Sequence, residues 1–332
     1  MEELAAAVRE TAHATGFSGV VRVDVGGDVV LEHAAGLAHR GLGVPNTPAT
    51  RFGIASGGKG LTALTVTALV EDGHLALGTP VRDVLGSDLP LVDDGVTVGH
   101  LLAHRSGIGD YLDEESDEPV TAYVLPVPVH RLASTEDYLA VLDGHPQHFP
   151  PGERFAYCNG GYVVLALVAE RVAGTPFPDL VRDKVCRPAG MRDTAFLRSD
   201  EPDGGVALGY LGEGLRTNVL HLPVRGSGDG GIVSTAADVA AFWTALFAGR
   251  IVPPERVAEL VRPRSEAPRE RSRYGLGFWL PGPTAVALEG YDAGVSFRSV
   301  HDPGRRLTWT VLSNTTDGAW PVARRLRELI GG

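Results

Sequence analysis

Apolar and polar positions along this chain follow two rhythms, one near 3.6 residues and one of two, and the switches between them mark its elements. Residues 2–15 carry apolar positions at helical spacing and predict an amphipathic helix. "SGVVRVDVGGDVVLEHAAG" then alternates strictly and predicts two strands joined at Gly26-Gly27, a hairpin. Over residues 60–72 the helical spacing returns, with Leu61, Leu64, Ala68 and Leu69 forming the face of a buried helix. The middle of the chain mixes loops with helical patterns in "TVGHLLAHRSG", "STEDYLAVLDG", "GGYVVLALVAERVAG" and "TAADVAAFWTALFAG". From about Tyr274 strands return in "YGLGFWL", "TAVALEG", "VSFRSVHD" and "RLTWTVLSN". A closing helix, "GAWPVARRLRELI", places Val322, Leu326, Leu329 and Ile330 on one face.

Strands at both ends with helices between predict an α+β fold rather than alternating β-α-β units. One antiparallel sheet, built from both termini and flanked by the N- and C-terminal helices, accounts for residues 1–58 and 226–332. Residues 59–225 are expected to form a second, mostly helical lobe, with the active site in the cleft between the two. The chain has no internal repeat.

Composition narrows the function. An apolar fraction of 43% and a charged fraction of 21% are those of an ordinary globular protein. A formal charge of −11 argues against a nucleic-acid partner, because affinity for phosphate backbones comes from Lys and Arg. The acidic run Asp113 to Pro119 reads as a solvated loop. The start, "MEELAAAVRE", lacks the basic and apolar regions of a signal peptide. The most apolar segment, Tyr162 to Gly174, is interrupted by Glu170 and Arg171 and is too short to cross a bilayer. These features predict a cytoplasmic protein with no membrane partner. Cys158 and Cys186 give neither a disulfide framework nor a metal spacing.

Chemistry enters at "RFGIASGGKGLTAL". Gly53, Gly58 and Lys59 spell most of a phosphate-binding loop, but Gly60 stands where that loop needs Ser or Thr to hold magnesium. The same stretch reads Ser56-x-x-Lys59, a hydroxyl with an amine one helical turn later. Of 30 basic residues only Lys59 and Lys184 are lysines. Arginine stays protonated in proteins, whereas burial or a nearby cation can make a lysine neutral, so a chain rich in arginine keeps lysine where a base is required. Locally, Ser56 fits two roles equally well: the cap of the helix that follows, or a nucleophile at its positive end.

The second box is "FPPGERFAYCNGGYVVLALVAERVAG", in which a Pro-Gly turn leads to Tyr157-Cys158-Asn159 and another buried helix. With S-x-x-K followed by Y-x-N, the chain resembles the serine β-lactamase and penicillin-binding protein superfamily, in its class C β-lactamase, esterase and D-peptidase branch. "VGHLLAHRSGIGDY", "VCRPAGMRDTAF" and "GIVSTAADVAAFW" resemble further segments of that family in the same order. The resemblance implies a β-lactamase-like fold and acyl transfer through a covalent intermediate. Ser56 would be the nucleophile, with Lys59 or Tyr157 as base and Asn159 positioning the substrate amide.

The third box departs from the family. Aligned without gaps, "LEGYDAGVSF" puts Leu288-Glu289-Gly290 on the family's K-T-G or H-x-G positions; a register placing Tyr291 on the histidine shifts Gly294 out of line. The residues that hold a substrate carboxylate are thus replaced by an apolar residue and an anion. Glu289 is expected to favour a substrate amine, pair with Lys59 or face solvent. Gly290 keeps the backbone close to substrate, and the Tyr291 amide would complete an oxyanion hole with that of Ser56. Arg298 reads as an exposed strand residue rather than a carboxylate clamp. His100 and His104 have the spacing of a zinc pair but lack the glutamate of H-E-x-x-H, and one of them fits the family's structural histidine.

The expectation is a serine hydrolase with no metal and no cofactor, acting on a small acyl substrate, carboxylesterase- or D-aminopeptidase-like, with weak β-lactamase or penicillin binding retained. The alternatives are an acyltransferase using the same site and a non-catalytic binding protein on the same fold.

Overall fold

The computed structural model describes residues 2–112, 119–201 and 203–331; the acidic run from Asp113 lies outside them except for Pro119. After a helix α1 (Glu2–Ala14) come the hairpin strands β1 (Gly19–Val25) and β2 (Asp28–Ala35). Three longer helices follow: α2 (Lys59–Glu71), α3 (Asn159–Ala173) and α4 (Ala236–Phe247). The chain then lays down β3 (Ser265–Ala267), β4 (Ser272–Tyr274), β5 (Trp279–Leu280), β6 (Val286–Asp292), β7 (Val295–Asp302) and β8 (Leu307–Ser313), and closes with α5 (Ala319–Ile330).

These eight strands make one antiparallel sheet in the order β2-β1-β8-β7-β6-β5-β4-β3, so the N-terminal hairpin docks on the last strand of the chain. That is the α+β sheet from both termini that the alternation predicts. Strand β8 is buried from Leu307 to Ser313 because both its faces are covered. On one face Val21, Val23, Val300 and Trp309 pack with Leu4 and Val8 of α1 and Val322 and Leu326 of α5. Leu329 is 41% exposed, since the buried stripe of α5 runs through Ala319, Val322, Ala323 and Leu326 and leaves Leu329 beside it.

The other face, with Val20, Leu288, Phe297 and Leu312, joins a core that continues through α2, α3 and α4. Helix α2 is buried on every side from Lys59 to Leu69, not on one face alone, as expected of a helix with apolar and small residues all round. Its threonines fit because Thr65 and Thr67 donate to Leu61 and Ala63 carbonyls one turn back, at 2.9 and 2.7 Å. Among the described residues no helix is long and apolar enough to cross a membrane.

One buried base makes this fold sensitive to acid. His301 on β7 is 8% exposed, shares a 2.8 Å hydrogen bond with Thr308 and stacks on Trp243 of α4. Burial pushes its pKa down to about 4. Above pH 6.5 the ring is neutral in both folded and unfolded chains, so it has no effect on stability. Between pH 6.5 and 4 only the unfolded chain takes up the proton, so stability is lost as pH falls, by up to about 1.4 kcal/mol per unit. Urea midpoints measured at pH 7 and pH 5 are expected to fall less in His301→Gln than in wild type. Equal falls would remove His301 as a cause.

Candidate active site

Ser56 sits where three segments meet. Phe52–Gly53 pairs with Val233–Ser234, and the Ile54 amide donates to the Ile232 carbonyl at 3.1 Å, fixing the approach. Ala55 then takes a left-handed φ of 43°, unfavourable for alanine by about 1 kcal/mol, and Ala55–Gly58 coils as a 3-10 turn that runs into α2. Ser56 thus stands one turn ahead of α2, with Lys59 as the first residue of that helix. A Cβ on Gly57 would come within 2.4 Å of the Phe297 ring, so this glycine lets the turn lie against β7.

Lys59 is the hub. Although only 2% exposed, its Nζ donates to Ser56 Oγ at 2.9 Å, Asn159 Oδ1 at 2.7 Å and the Asp229 carbonyl at 2.9 Å. The ring of Tyr157 lies 4.9 Å from Nζ and that of Tyr162 at 5.7 Å. Three acceptors match the three protons of an ammonium. They also match a neutral amine, which would donate to the two carbonyl oxygens and offer its lone pair to the one partner that has a proton to give, the serine hydroxyl. The arrangement therefore serves both the charged and the neutral lysine without rearrangement.

The other groups are held just as firmly. Asn159 opens α3, where Asp110 accepts from the Asn159 and Gly160 amides at 2.5 and 2.8 Å and so satisfies the helix end. Burial pushes the Asp110 carboxyl up, and those amides hold it partly down. Tyr157 is sandwiched between His104, 4.3 Å away, and Trp279, 5.9 Å away. His104 Nδ1 accepts from the Cys158 amide at 3.1 Å, which puts the proton of the neutral ring on Nε2. Burial, reinforced by Lys59, pushes His104 well below the usual histidine range and keeps it neutral. It is the structural histidine of the pair; His100 instead accepts from the Thr97 amide and caps the helix Val98–Leu102.

The third box divides by the parity of its strand. Gly290 packs on the nucleophile turn so closely that a Cβ there would lie 2.0 Å from the Ile54 carbonyl oxygen. Leu288 shares this face but is core, 3% exposed, its methyl filling the space beside Gly60. Glu289 lies on the opposite face and forms a cross-strand ion pair with Arg298. Its carboxylate is taken, so it neither meets Lys59 nor recognises a substrate amine from there. Arg298 is half-buried in that pair and is likewise no clamp. Tyr291, 45% exposed, lies near Trp320 and lines the rim of the cleft.

The cleft has a volume of about 210 Å³ and opens beside Ser56 and Asn159. Its walls include Tyr111, Tyr123 and Tyr138 and a carboxylate that sequence reasoning passes over, Asp229. The only local sign of Asp229 is the glycine-rich run "GSGDGG" around it, residues 226–231, which marks close backbone packing.

The family model described as Beta-lactamase matches residues 4–331. The crystal structure of a penicillin binding protein from Bacillus halodurans superposes with a TM-score of 0.91 at 33% identity, covering 97% of this chain and 100% of that one. The esterase EstB of Burkholderia gladioli is 32% identical over 286 residues, 77% of this chain and 70% of EstB. The putative penicillin-binding protein PbpX of Bacillus subtilis is 28% identical over 274 residues, 80% of this chain. This chain spans 63% of PbpX, about six-tenths of its length.

Proposed function

The chain belongs to the β-lactamase family, and from that premise we propose that it is a serine hydrolase that cleaves esters or amides through an acyl-enzyme on Ser56. The observation that carries the proposal is the buried Lys59 Nζ, 2.9 Å from Ser56 Oγ, with its other two hydrogen bonds committed to carbonyl oxygens. A neutral Lys59 so held has one place for a new proton, on the side facing the serine.

In the proposed cycle Ser56 Oγ attacks the substrate carbonyl while its proton passes to Lys59. The tetrahedral oxyanion is held by the Ser56 and Tyr291 amides. Collapse expels the alcohol or amine, which leaves with the proton handed on through Lys59 and Tyr157. Water then enters, loses a proton to the same pair and releases the acid, returning Ser56 to its starting state. Asn159 keeps Lys59 in register and presents its amide to the acyl group. Stacking between His104 and Trp279 fixes the Tyr157 ring against Lys59.

A buried Leu288 supports esters and simple amides over carboxylate-bearing substrates such as penicillins, since no cation stands at that strand position. The test is a pre-steady-state assay with p-nitrophenyl butyrate. Expected is a burst of p-nitrophenol approaching one equivalent of enzyme or, if deacylation is faster than acylation, steady turnover without a burst. No release above the buffer rate would leave a binding protein on this fold.

A further inference from the structure

The two carbonyl oxygens that hold the Lys59 amine are secured very differently. Asn159 Oδ1 comes from the first residue of α3, whose free amides are capped by Asp110. The Asp229 carbonyl comes from the run "GSGDGG", residues 226–231, in which four of six residues are glycine and the backbone has wide conformational freedom. Bonds from outside fix this run on either side of Asp229. Tyr138 donates to the Arg225 carbonyl and Thr62 to the Gly228 carbonyl, both at 2.6 Å, and the Ile54 amide donates to the Ile232 carbonyl at 3.1 Å. The Asp229–Gly230 peptide itself is turned by the Gly230 amide, which donates to the Ser227 carbonyl at 3.2 Å, the long end of the range.

Within the run the Asp229 carboxylate folds back on its own backbone, accepting from the Asp229 and Gly230 amides. Its anchor from outside is Tyr111, whose phenol donates to Asp229 Oδ2. The loop that carries Tyr111 is pinned in turn by Tyr123, which donates to the Tyr111 carbonyl. Burial and then the Asp229 charge push the Tyr111 phenol well above its usual range, so it keeps the proton it donates. Burial pushes the Asp229 carboxyl up, whereas Lys59 and the Tyr111 proton hold it down. A chain of contacts thus runs from the Tyr111 hydroxyl through the Asp229 side chain and carbonyl to Lys59 Nζ. Lys59 Nζ meets Ser56, Asn159 and Asp229, so Tyr111 reaches the amine only through Asp229.

A neutral amine has two protons to donate and one lone pair. With both carbonyl oxygens in place the protons are spent on them and the lone pair faces the Ser56 hydroxyl. If the Asp229 carbonyl swings away, the amine is free to turn about its C–N bond and present a proton to Ser56 Oγ, an orientation that cannot take up the serine proton. We propose that Tyr111 is a positioning residue for the reaction: its hydrogen bond to the Asp229 side chain aims the Asp229 carbonyl at Lys59 and so keeps the lone pair turned to Ser56. Tyr111 takes this role only within the serine hydrolase reading above, to which it adds a residue acting through Asp229.

The experiment mixes p-nitrophenyl butyrate with excess enzyme, so that release of p-nitrophenol reports acylation alone. Its dependence on enzyme concentration gives a maximal rate constant and a half-saturating concentration. Tyr111→Phe and Asp229→Ala each remove one end of the same bond. Each is expected to lower the maximal rate constant about tenfold, with the half-saturating concentration within about twofold of wild type. The double variant is expected to fall no more than about threefold below the slower single variant, because the second change removes nothing further. Circular dichroism checks the folding of each, and either single variant that folds carries the kinetic test, since each breaks the bond alone. Maximal rate constants within about twofold of wild type, or a loss confined to the half-saturating concentration as for a substrate contact, would overturn the inference. So would a double variant slowed about a hundredfold, the product of two independent losses. Wild-type enzyme that released no p-nitrophenol would instead remove the hydrolase reading, and the role of Tyr111 with it.

Discussion

Replacing Ser56 with alanine is expected to cut kcat/KM for p-nitrophenyl butyrate by about 10⁴-fold or more, with any residue of activity unable to form a burst. The oxygen removed is the hydroxyl that Lys59 Nζ meets at 2.9 Å, and its place in the turn is set by backbone bonds that alanine keeps. Stability should therefore change little, by about 1 kcal/mol, the order of one lost hydrogen bond. Matching urea midpoints beside a collapsed rate would separate chemistry from folding. A Ser56→Ala enzyme that kept a tenth of wild-type activity would put the nucleophile elsewhere.

Lys59→Arg is expected to be nearly as damaging, by about 10³-fold in kcat, although it keeps the positive charge. A guanidinium cannot accept the serine proton, and its flat fork cannot reach three acceptors arranged around one nitrogen. The enclosed site also leaves a longer side chain little room, so a second variant, Lys59→Met, checks that the loss follows the amine and not the volume. Both variants should lose kcat with the fold retained, as judged by circular dichroism. Substantial turnover in either would mean that Tyr157 serves as base without the lysine.

How much of this was legible in the sequence depends on whether the signal was local. The period-two runs of β1, β2 and β6 to β8 and the helical spacing of α1, α2 and α5 carry their own evidence, so the sheet from both termini could be read directly. The β3–β4 hairpin could not, because "SEAPRERSRY" is polar and proline-broken, and its pairing comes from the sheet edge it joins. Ser56, Lys59 and Asn159 were legible as spaced motifs, and the structure brings them into hydrogen-bonding contact. The roles of Asp110, Tyr111 and Asp229 were not: the first two end a family-like segment that gives no sign of what they contact, Asp229 is marked only by the glycine run around it, and each reaches the site from a loop distant in sequence.

Glu289 shows a different limit. Alignment finds the position on the strand, but the pleat decides which side the residue takes, and Gly290 facing the nucleophile turn commits Glu289 to the far side. Its partner there, Arg298, stands directly opposite on β7. Leu288 was read as a lost substrate contact; it is a core residue whose bulk matches the absence of a side chain at Gly60. In both cases the chemical type of the residue was informative only once its neighbours across the strand were known.

On this mechanism a buried amine makes one serine hydroxyl nucleophilic. Acid-quenched mass spectrometry of the protein mixed with p-nitrophenyl butyrate, followed by peptide mapping, tests it most directly. Expected is a butyryl adduct on the peptide bearing Ser56 in wild type, and none there in Ser56→Ala or Lys59→Met. An adduct on another residue during turnover, or unimpaired acylation of Ser56 without the lysine, would contradict it.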